Sequence, residues 1–140
     1  MLVFDAYAWI EYFLGSNEGK IVKDHLEEKE NILTPEIILA EIARKYLREG
    51  VSEHKINQRL RFIIARSETE GVDADLSLKA AKAWRKLSES AKGKELGAVG
   101  LTDGILLALA QEHDARIVTG DPHFEDLKEV IMLGGRSEEL

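Results

Sequence analysis

The sequence predicts a three-layer α/β protein, in which a mainly parallel central sheet of about four to five strands carries helices on both faces. Short apolar runs alternate along the chain with longer stretches whose apolar residues recur at helical spacing. The 140 residues, 44% of them hydrophobic and 32% charged, suit a single domain with one core. We therefore expect one domain at 1–133 and a C-terminal tail at 134–140.

The first half of the chain is predicted from apolar runs and from the residues that bound helices. Gly15 and Gly50 are placed to end helices. Asn17 is suited to cap the start of a helix, and so is Thr34 when Pro35 follows it. These signals predict strands at 2–4 and 31–33, and helices at 6–14, 17–30 and 35–49, with a further helix from residue 52.

The second half is predicted to contain two long helices and two buried strands. A weak strand at 69–72 and a helix at 75–90 precede a glycine-rich loop at 92–100. A strongly apolar helix follows at 102–113, and strands follow at 116–119 and 130–133. Gly104 is a poor helix former, so we expect it to loosen the start of the helix at 102–113.

Composition excludes several classes of protein. The chain has no cysteine, so disulfides and thiolate metal sites are excluded, and any metal must bind oxygen or imidazole ligands. No apolar run approaches the roughly 20 residues of a membrane span. The first residues lack the basic and then apolar layout of a signal peptide, so we expect a cytoplasmic protein.

The net charge of −7 conceals three regions of different sign. Residues 1–43 contain 3 Lys and Arg against 9 Asp and Glu, residues 44–94 contain 13 against 7, and residues 95–140 contain 3 against 10. A basic region beside acidic ones suits a metal-dependent nuclease, although a solvated helical segment gives the same counts. The candidate phosphate contacts are Arg44, Lys45, Arg48, Lys55, Arg59 and Arg66.

Two aspartates follow predicted strands. Asp5 closes the strand at 2–4, and Asp121 lies just beyond the strand at 116–119. Ligand sites of parallel sheets lie at the carboxyl ends of the strands, so these two carboxylates come close together if their strands are neighbours. Each residue taken alone is more typical of a structural aspartate at a strand end or in a turn than of a catalytic one.

Two further acids lie on predicted helices. Glu41 follows Ile38 by three residues and Ile37 by four, so it shares the helix face that should pack on the sheet. A carboxylate there is costly unless a cation or hydrogen-bond donors meet it, and Arg44 is close enough in sequence to form a local pair. Asp103 begins an apolar helix, where the helix dipole favours a carboxylate even in a purely structural role.

The four acids are more informative together than singly. Like charges held close together cannot all stay ionised without positive charge nearby. Because hard divalent cations prefer oxygen ligands, the set predicts a site for Mg²⁺ or Mn²⁺. A carboxylate cluster of this type is the protein part of a metal-assisted phosphodiester hydrolase.

Four segments resemble the PIN domain family, in the order of that family and over nearly the whole chain. They are the strand ending at Asp5 with residues 6–10 after it, residues 38–42 around Glu41, residues 101–103, and residues 117–124, which are the most specific. The resemblance implies a metal site formed by Asp5, Glu41 and Asp103, with Asp121 as the frequent fourth acid. It also implies that the Thr119 hydroxyl supports this site by hydrogen bonding.

The size of the chain makes it similar to VapC-type toxins of toxin–antitoxin pairs. This similarity implies a Mg²⁺-dependent endoribonuclease that hydrolyses RNA, forms a homodimer and is inhibited by a small antitoxin. One departure is that residues 98–100 lack a small hydroxyl residue before the third acid, where Thr102 is the available substitute. The spacing of the four histidines predicts no metal site, although His123 follows Asp121 closely enough to reach it.

Two other functions are weighed against the nuclease. A catalytically silent domain of the same fold would bind RNA or an antitoxin, but the intact set of four acids argues against it. A phosphatase or phospho-acceptor with Asp5 as its nucleophile would commonly carry a second acid two residues later, where this chain has Tyr7.

Overall fold

The secondary structure follows the predicted alternation of strands and helices. The structure, a computed structural model, describes residues 1–28 and 30–134, so the predicted tail lies outside it from position 135 onward. The strands are β1 Leu2–Phe4, β2 Ile32–Pro35, β3 Glu68–Glu70, β4 Arg116–Thr119 and β5 Val130–Met132. The helices are α1 Ala6–Leu14, α2 Asn17–Glu27, α3 Glu36–Arg48, α4 Glu53–Arg66, α5 Ala74–Ala91 and α6 Leu101–Glu112, and a 3-10 turn spans Pro122–Phe124.

The five strands form one parallel sheet in the order β3-β2-β1-β4-β5. The central strand, β1, lies between β2 and β4. Its register pairs Phe4 with Val118, so Asp5, just beyond β1, and Thr119, the last residue of β4, lie side by side. The predicted α/β class with a parallel sheet is confirmed, and the ends of β1 and β4 meet at one edge.

The strand order places helices on both faces of the sheet. The chain runs outward from β1 through β2 to β3, and then returns to the other side of β1 for β4 and β5. Because parallel crossovers are right-handed, this reversal sends the helices before β3 and those after it to opposite faces. The contacts agree, since α1 packs on α2 and α3, α5 packs on α6, and both α1 and α6 touch β1 and β4.

The core lies where the two helical layers meet the central strand. All three residues of β1 are buried, as are Trp9 of α1 and Ile42 of α3. Residues 104–110 of α6 are buried without a break, which is expected of a helix enclosed between the sheet and α5. No helix in the described part of the chain is long and apolar enough to cross a membrane.

Two predicted helix starts are wrong in their capping residue. Ser16, rather than Asn17, caps α2, because its hydroxyl accepts a backbone N–H of the first turn at 3.0 Å. Thr34 belongs to β2 and does not cap α3, because the helix begins one residue later than predicted, with Pro35 at the capping position and no side-chain hydrogen bond there. The Thr34 hydroxyl is used inside the protein instead, where it accepts a hydrogen bond from the Trp9 indole at 3.1 Å.

Gly104 has a packing role that its helix propensity does not reveal. A Cβ atom at this position would lie 2.4 Å from the Ala80 carbonyl oxygen and 2.8 Å from Trp84 Cβ. A residue without a side chain is therefore needed for α5 and α6 to approach this closely. The expectation that Gly104 loosens the helix is wrong, since α6 begins at Leu101 and holds Asp103 in its first turn.

Candidate active site

Asp5 lies at the base of the candidate site, directly after β1. Its Oδ1 accepts a hydrogen bond from the Ala8 backbone N–H at 2.8 Å, and its Oδ2 accepts a short hydrogen bond from the Thr119 hydroxyl. The residue is only 6% exposed. Burial raises the pKa of Asp5 to about 7, although both hydrogen bonds favour the ionised form, and the charges of Asp121 and Asp103 raise the pKa further.

Thr119 links two of the acids through a single hydroxyl group. While this hydroxyl donates to Asp5, its oxygen accepts the backbone N–H of Asp121 at 2.9 Å. The Asp121 carboxylate in turn accepts the backbone N–H of His123 at 2.9 Å and caps the 3-10 turn. The position of each group after β4 is thus set by a continuous run of hydrogen bonds that starts at β1.

Asp103 reaches the same place from the first turn of α6. Its side chain is 16% exposed. Burial and the charge of Asp121 raise the pKa of Asp103 to about 6, while His123 and the Gly100 backbone act in the opposite direction. Burial is the main cause of both raised pKa values, and the neighbouring acids add to it, so a bound cation would stabilise the ionised form of both carboxyl groups.

Glu41 borders the site from α3. Its Oε2 accepts a hydrogen bond from the Thr102 hydroxyl at 3.3 Å, so this hydroxyl contacts Glu41, the second acid of the set. The predicted burial of this helix face is only half correct, because Ile38 is buried whereas Ile37 is 41% exposed. Arg44 lies 4.0 Å from Glu41, at the outer limit of an ion pair. Glu41 therefore still faces the cleft and is not held in a close local pair with Arg44.

One cleft receives all four carboxylates. Asp5, Glu41, Asp103 and Asp121 line it, together with Tyr7, Thr102 and His123. Thr119 lies beneath Asp5 and is fully buried. The donor atoms that face the cleft are mostly carboxylate oxygens, which is the chemistry that hard divalent cations prefer.

His123 is a site residue to which the sequence assigned no role. Its Nδ1 lies 3.1 Å from Asp121 Oδ1 and 3.7 Å from Asp103 Oδ2, and its side chain is 12% exposed. One donor atom from each of these three residues lies within 4.8 Å of the others, which is close enough to hold one metal ion. The available sequence signal was its position two residues after Asp121, which does not reveal the direction of the ring.

Tyr7 packs directly on the backbone between Thr119 and Asp121. A Cβ atom on Gly120 would lie 2.3 Å from the Tyr7 ring, so a glycine is needed for this approach. The Tyr7 hydroxyl donates to Glu18 at 2.5 Å, and this bond holds the ring in place. A phosphatase would commonly carry its second acid at position 7, where this chain instead has the Tyr7 ring lining the cleft.

The predicted phosphate contacts have unequal roles in the structure. Arg59 lies over two aromatic rings, and Arg66 donates to a backbone carbonyl group of α2. Lys45 pairs with Glu49, the residue that follows α3. Arg44 borders the cleft through its contact with Glu41, and 68% of its side chain is exposed. Arg44 is therefore the basic residue best placed to meet a ligand of the cleft.

Solved structures of known proteins share this fold at low sequence identity. A chain of a toxin–antitoxin complex from Klebsiella pneumoniae is 21% identical with a TM-score of 0.66, covering 94% of this chain and 97% of that one. VapBC2 from Rickettsia felis, bound to a promoter DNA fragment, is 16% identical with a TM-score of 0.63, covering 94% of this chain and 96% of that one. Mycobacterium tuberculosis VapC20, a Sarcin-Ricin loop cleaving toxin, is 15% identical with a TM-score of 0.59, covering 99% of this chain and 94% of that one. No curated protein sequence matches the chain significantly.

The family is shown by the sequence itself. The profile of the PIN domain family matches residues 2–130, a range that contains the four acids of the cleft and both strands that carry Asp5 and Thr119. The parallel five-stranded sheet agrees with this match, as does the similarity to the solved toxin structures over nearly their whole length. This chain belongs to the PIN domain family.

Proposed function

We propose that this protein is a metal-dependent endoribonuclease and the toxin of a toxin–antitoxin pair. The observation that carries the proposal is the convergence of four carboxylates in one cleft, two of which have pKa values raised toward neutrality. A site of this kind gains stability when a divalent cation neutralises its charge.

The residues present suit Mg²⁺ or Mn²⁺. Carboxylate oxygens of Asp5, Glu41, Asp103 and Asp121 would hold the ion. The buried Nδ1 of His123, which has no hydrogen-bond partner, supports the presence of a cation between it and the acids. When bound, the metal supplies Lewis-acid activation of water and of the phosphodiester.

The protein groups around the cleft are ordered before a substrate arrives. Thr119 and the start of α1 fix both oxygens of Asp5, so this carboxylate has one orientation. Glu41, on the more exposed side, would accept a proton from water, while the Thr102 hydroxyl donates to its Oε2. The exposed guanidinium of Arg44 would bind the phosphate backbone next to the scissile bond.

The comparisons support RNA as the substrate and an antitoxin as the partner. One similar structure is a toxin described as cleaving the Sarcin-Ricin loop, and others are toxin–antitoxin complexes. The Klebsiella chain is covered over 97% of its length, so the likeness extends across the toxin fold. Homodimer formation, which rests on the family resemblance, and a cytoplasmic location both stay predictions.

A cleavage assay tests the proposed activity. Purified protein free of any antitoxin is incubated with a pool of structured and unstructured RNAs in Mg²⁺, Mn²⁺ or EDTA. We expect cleavage with either metal, and none in EDTA or with a folded Asp5→Ala variant. A folded wild type that cuts no RNA in either metal would argue for the catalytically silent alternative.

The silent alternative, a PIN domain that only binds RNA or an antitoxin, differs in its need for metal. A nuclease site should bind Mn²⁺ in a calorimetric titration and lose that binding in Asp103→Asn. A domain that acts only by binding has no use for the ion, so wild type and variant would give the same weak, unspecific heats.

A further inference from the structure

His123 lines the cleft beside the four acids, but the proposed site of four acids gives it no role. Its Nδ1 is inaccessible to solvent and makes no hydrogen bond, although the ring lies among charged groups. Buried polar atoms are nearly always paired, so an unpaired one calls for a specific explanation. The atom faces the cleft acids rather than an apolar part of the core.

The other ring nitrogen determines which atom carries the proton. His123 Nε2 lies 3.3 Å from the Gly97 carbonyl oxygen. A carbonyl oxygen only accepts hydrogen bonds, so Nε2 carries a hydrogen, and in the neutral ring Nδ1 then presents a lone pair. That lone pair is 3.1 Å from one carboxylate oxygen of Asp121 and 3.7 Å from one of Asp103. In the neutral ring these three electron-rich atoms repel one another, and either a proton on Nδ1 or a cation between them relieves the repulsion.

This arrangement is the one that metal-binding histidines commonly have. One ring nitrogen binds the ion, and the other donates to a backbone carbonyl or a carboxylate, which fixes the orientation of the ring. In this protein the Gly97 carbonyl has that second role, and the bond from the His123 backbone N–H to Asp121 fixes the main chain. Imidazole suits transition-metal ions, whereas Mg²⁺ prefers oxygen ligands.

We infer that His123 is a metal ligand, which binds through Nδ1 beside Asp103 and Asp121 and gives the site a preference for transition-metal cations over Mg²⁺. The inference rests on the proposed function, because it concerns the same cation. It adds a nitrogen donor to the set of four acids and thereby predicts which ions the site selects.

A second histidine provides the matched control. His113 Nε2 lies 3.0 Å from Glu70 Oε2, and these residues, with Glu112, form another group whose donor atoms lie within 4.8 Å of one another. His113 could therefore also contribute a nitrogen donor to an added metal. Replacing each histidine with glutamine separates the two locations, since the glutamine amide in His123→Gln can still donate to Gly97.

The experiment compares wild type, His123→Gln and His113→Gln as full-length proteins. Pulsed electron paramagnetic resonance of bound Mn²⁺ detects a directly coordinated nitrogen, and calorimetry gives the affinities for Co²⁺ and Mg²⁺. We expect nitrogen modulation in wild type and in His113→Gln but not in His123→Gln. The ratio of Co²⁺ to Mg²⁺ affinity should fall roughly tenfold in His123→Gln alone. Thermal unfolding verifies that each variant is folded, and His123→Asn replaces His123→Gln if that variant is not.

Three results would overturn the inference. If the wild type binds Mn²⁺ without nitrogen modulation, the ring is not a ligand, while the proposed nuclease site stands. If the modulation disappears only in His113→Gln, the nitrogen comes from the other group. If the wild type binds none of these ions, both the ligand role of His123 and the proposed metal-dependent function fail.

Discussion

The hydroxyl of Thr119 donates a hydrogen bond to the carboxylate of Asp5 and joins the ends of two neighbouring strands. The same oxygen accepts the backbone N–H of Asp121. One buried side chain therefore sets the positions of two acids that are far apart in sequence. The geometry of the cleft depends on this contact as much as on the acids themselves.

Replacing Thr119 with valine should weaken both the fold and the site. Thr119→Val keeps the shape of the side chain but removes the hydroxyl, which leaves Asp5 Oδ2 and the Asp121 N–H without their partner. We expect a loss of about 1–3 kcal/mol in the free energy of unfolding. RNA cleavage should fall by at least about tenfold, as for other residues that orient metal ligands. Urea denaturation and single-turnover cleavage measure the two effects.

The control for this prediction is Thr119→Ser, which retains the hydroxyl group. It should recover most of the cleavage rate, because the hydrogen bonds to Asp5 and Asp121 can re-form. A serine variant as inactive as the valine variant would mean that the methyl group, rather than the hydrogen bond, is what the site needs.

Without metal, the free energy of unfolding should fall as the pH rises from about 4 to about 7. The pKa of Asp5 is about 7 in the folded protein, whereas an aspartate in an unfolded chain titrates near pH 4. In this range the folded state holds a proton that the unfolded state has released, so raising the pH favours unfolding. Asp103, with a pKa of about 6, contributes to the same slope. Urea denaturation in EDTA across this range provides the measurement.

The variant Asp5→Asn tests the cause of that slope. Since asparagine does not ionise, the variant should be more stable than the wild type near pH 7 in EDTA and should lose this advantage near pH 4. Wild-type stability that increases from about pH 5 to pH 7, with no gain in the variant, would show that burial of Asp5 does not disfavour its charge.

Filling the space at Gly104 should destabilise the contact between α5 and α6. The added methyl group of Gly104→Ala would overlap the Ala80 carbonyl oxygen. Overpacking costs about 1–3 kcal/mol and outweighs the gain of up to about 1 kcal/mol from the better helix propensity of alanine. Thermal unfolding should show a lower midpoint than for Gly100→Ala, where a Cβ atom meets nothing within 4 Å. Equal or higher stability of Gly104→Ala would contradict the close approach of the helices.

Arg44 should affect the binding of RNA and leave the binding of metal unchanged. Its exposed guanidinium lies beside Glu41, so Arg44→Gln should raise KM severalfold and reduce the salt dependence of RNA binding by about one phosphate contact. The affinity for Mn²⁺ should stay within about twofold of the wild type, since a guanidinium is not a metal ligand. Arg61→Gln, on the exposed face of α4, is the control. A salt dependence equal in both variants would exclude a contact between Arg44 and RNA.

Much of the fold could be predicted because its signals are local. The strands at 2–4 and 116–119 are short apolar runs, and Gly15 ends α1 with a positive φ of 72° as a C-terminal glycine does. The order of the strands is not local, so the sequence alone left open whether the strands before Asp5 and Asp121 are neighbours. The cap predicted at Thr34 was mistaken because its hydroxyl meets the Trp9 indole, a tertiary contact that the sequence does not reveal.

The meeting of the four acids in one cleft could be expected from the sequence, whereas the residues that surround them could not. Acids at strand ends follow from the general position of ligand sites in parallel sheets. The approach of His123 depends on the turn capped by Asp121 and on the carbonyl group of Gly97, 26 residues earlier in the chain. Gly104 is needed because α5 packs closely against it, and the residues around position 104 do not indicate which helix will lie there.

The most direct test of the central claim is the single-turnover rate of RNA cleavage in Mn²⁺ by Asp103→Asn and Asp75→Asn. Both residues are acids in the first turn of a helix, but Asp103 lies in the cleft whereas Asp75 is exposed on α5. We predict that Asp75→Asn cleaves at the wild-type rate and that Asp103→Asn is slower by at least about a hundredfold, because a metal ligand supports several kcal/mol of transition-state stabilisation. Equal rates for the two folded variants would contradict the assignment of the acidic cleft as a nuclease site.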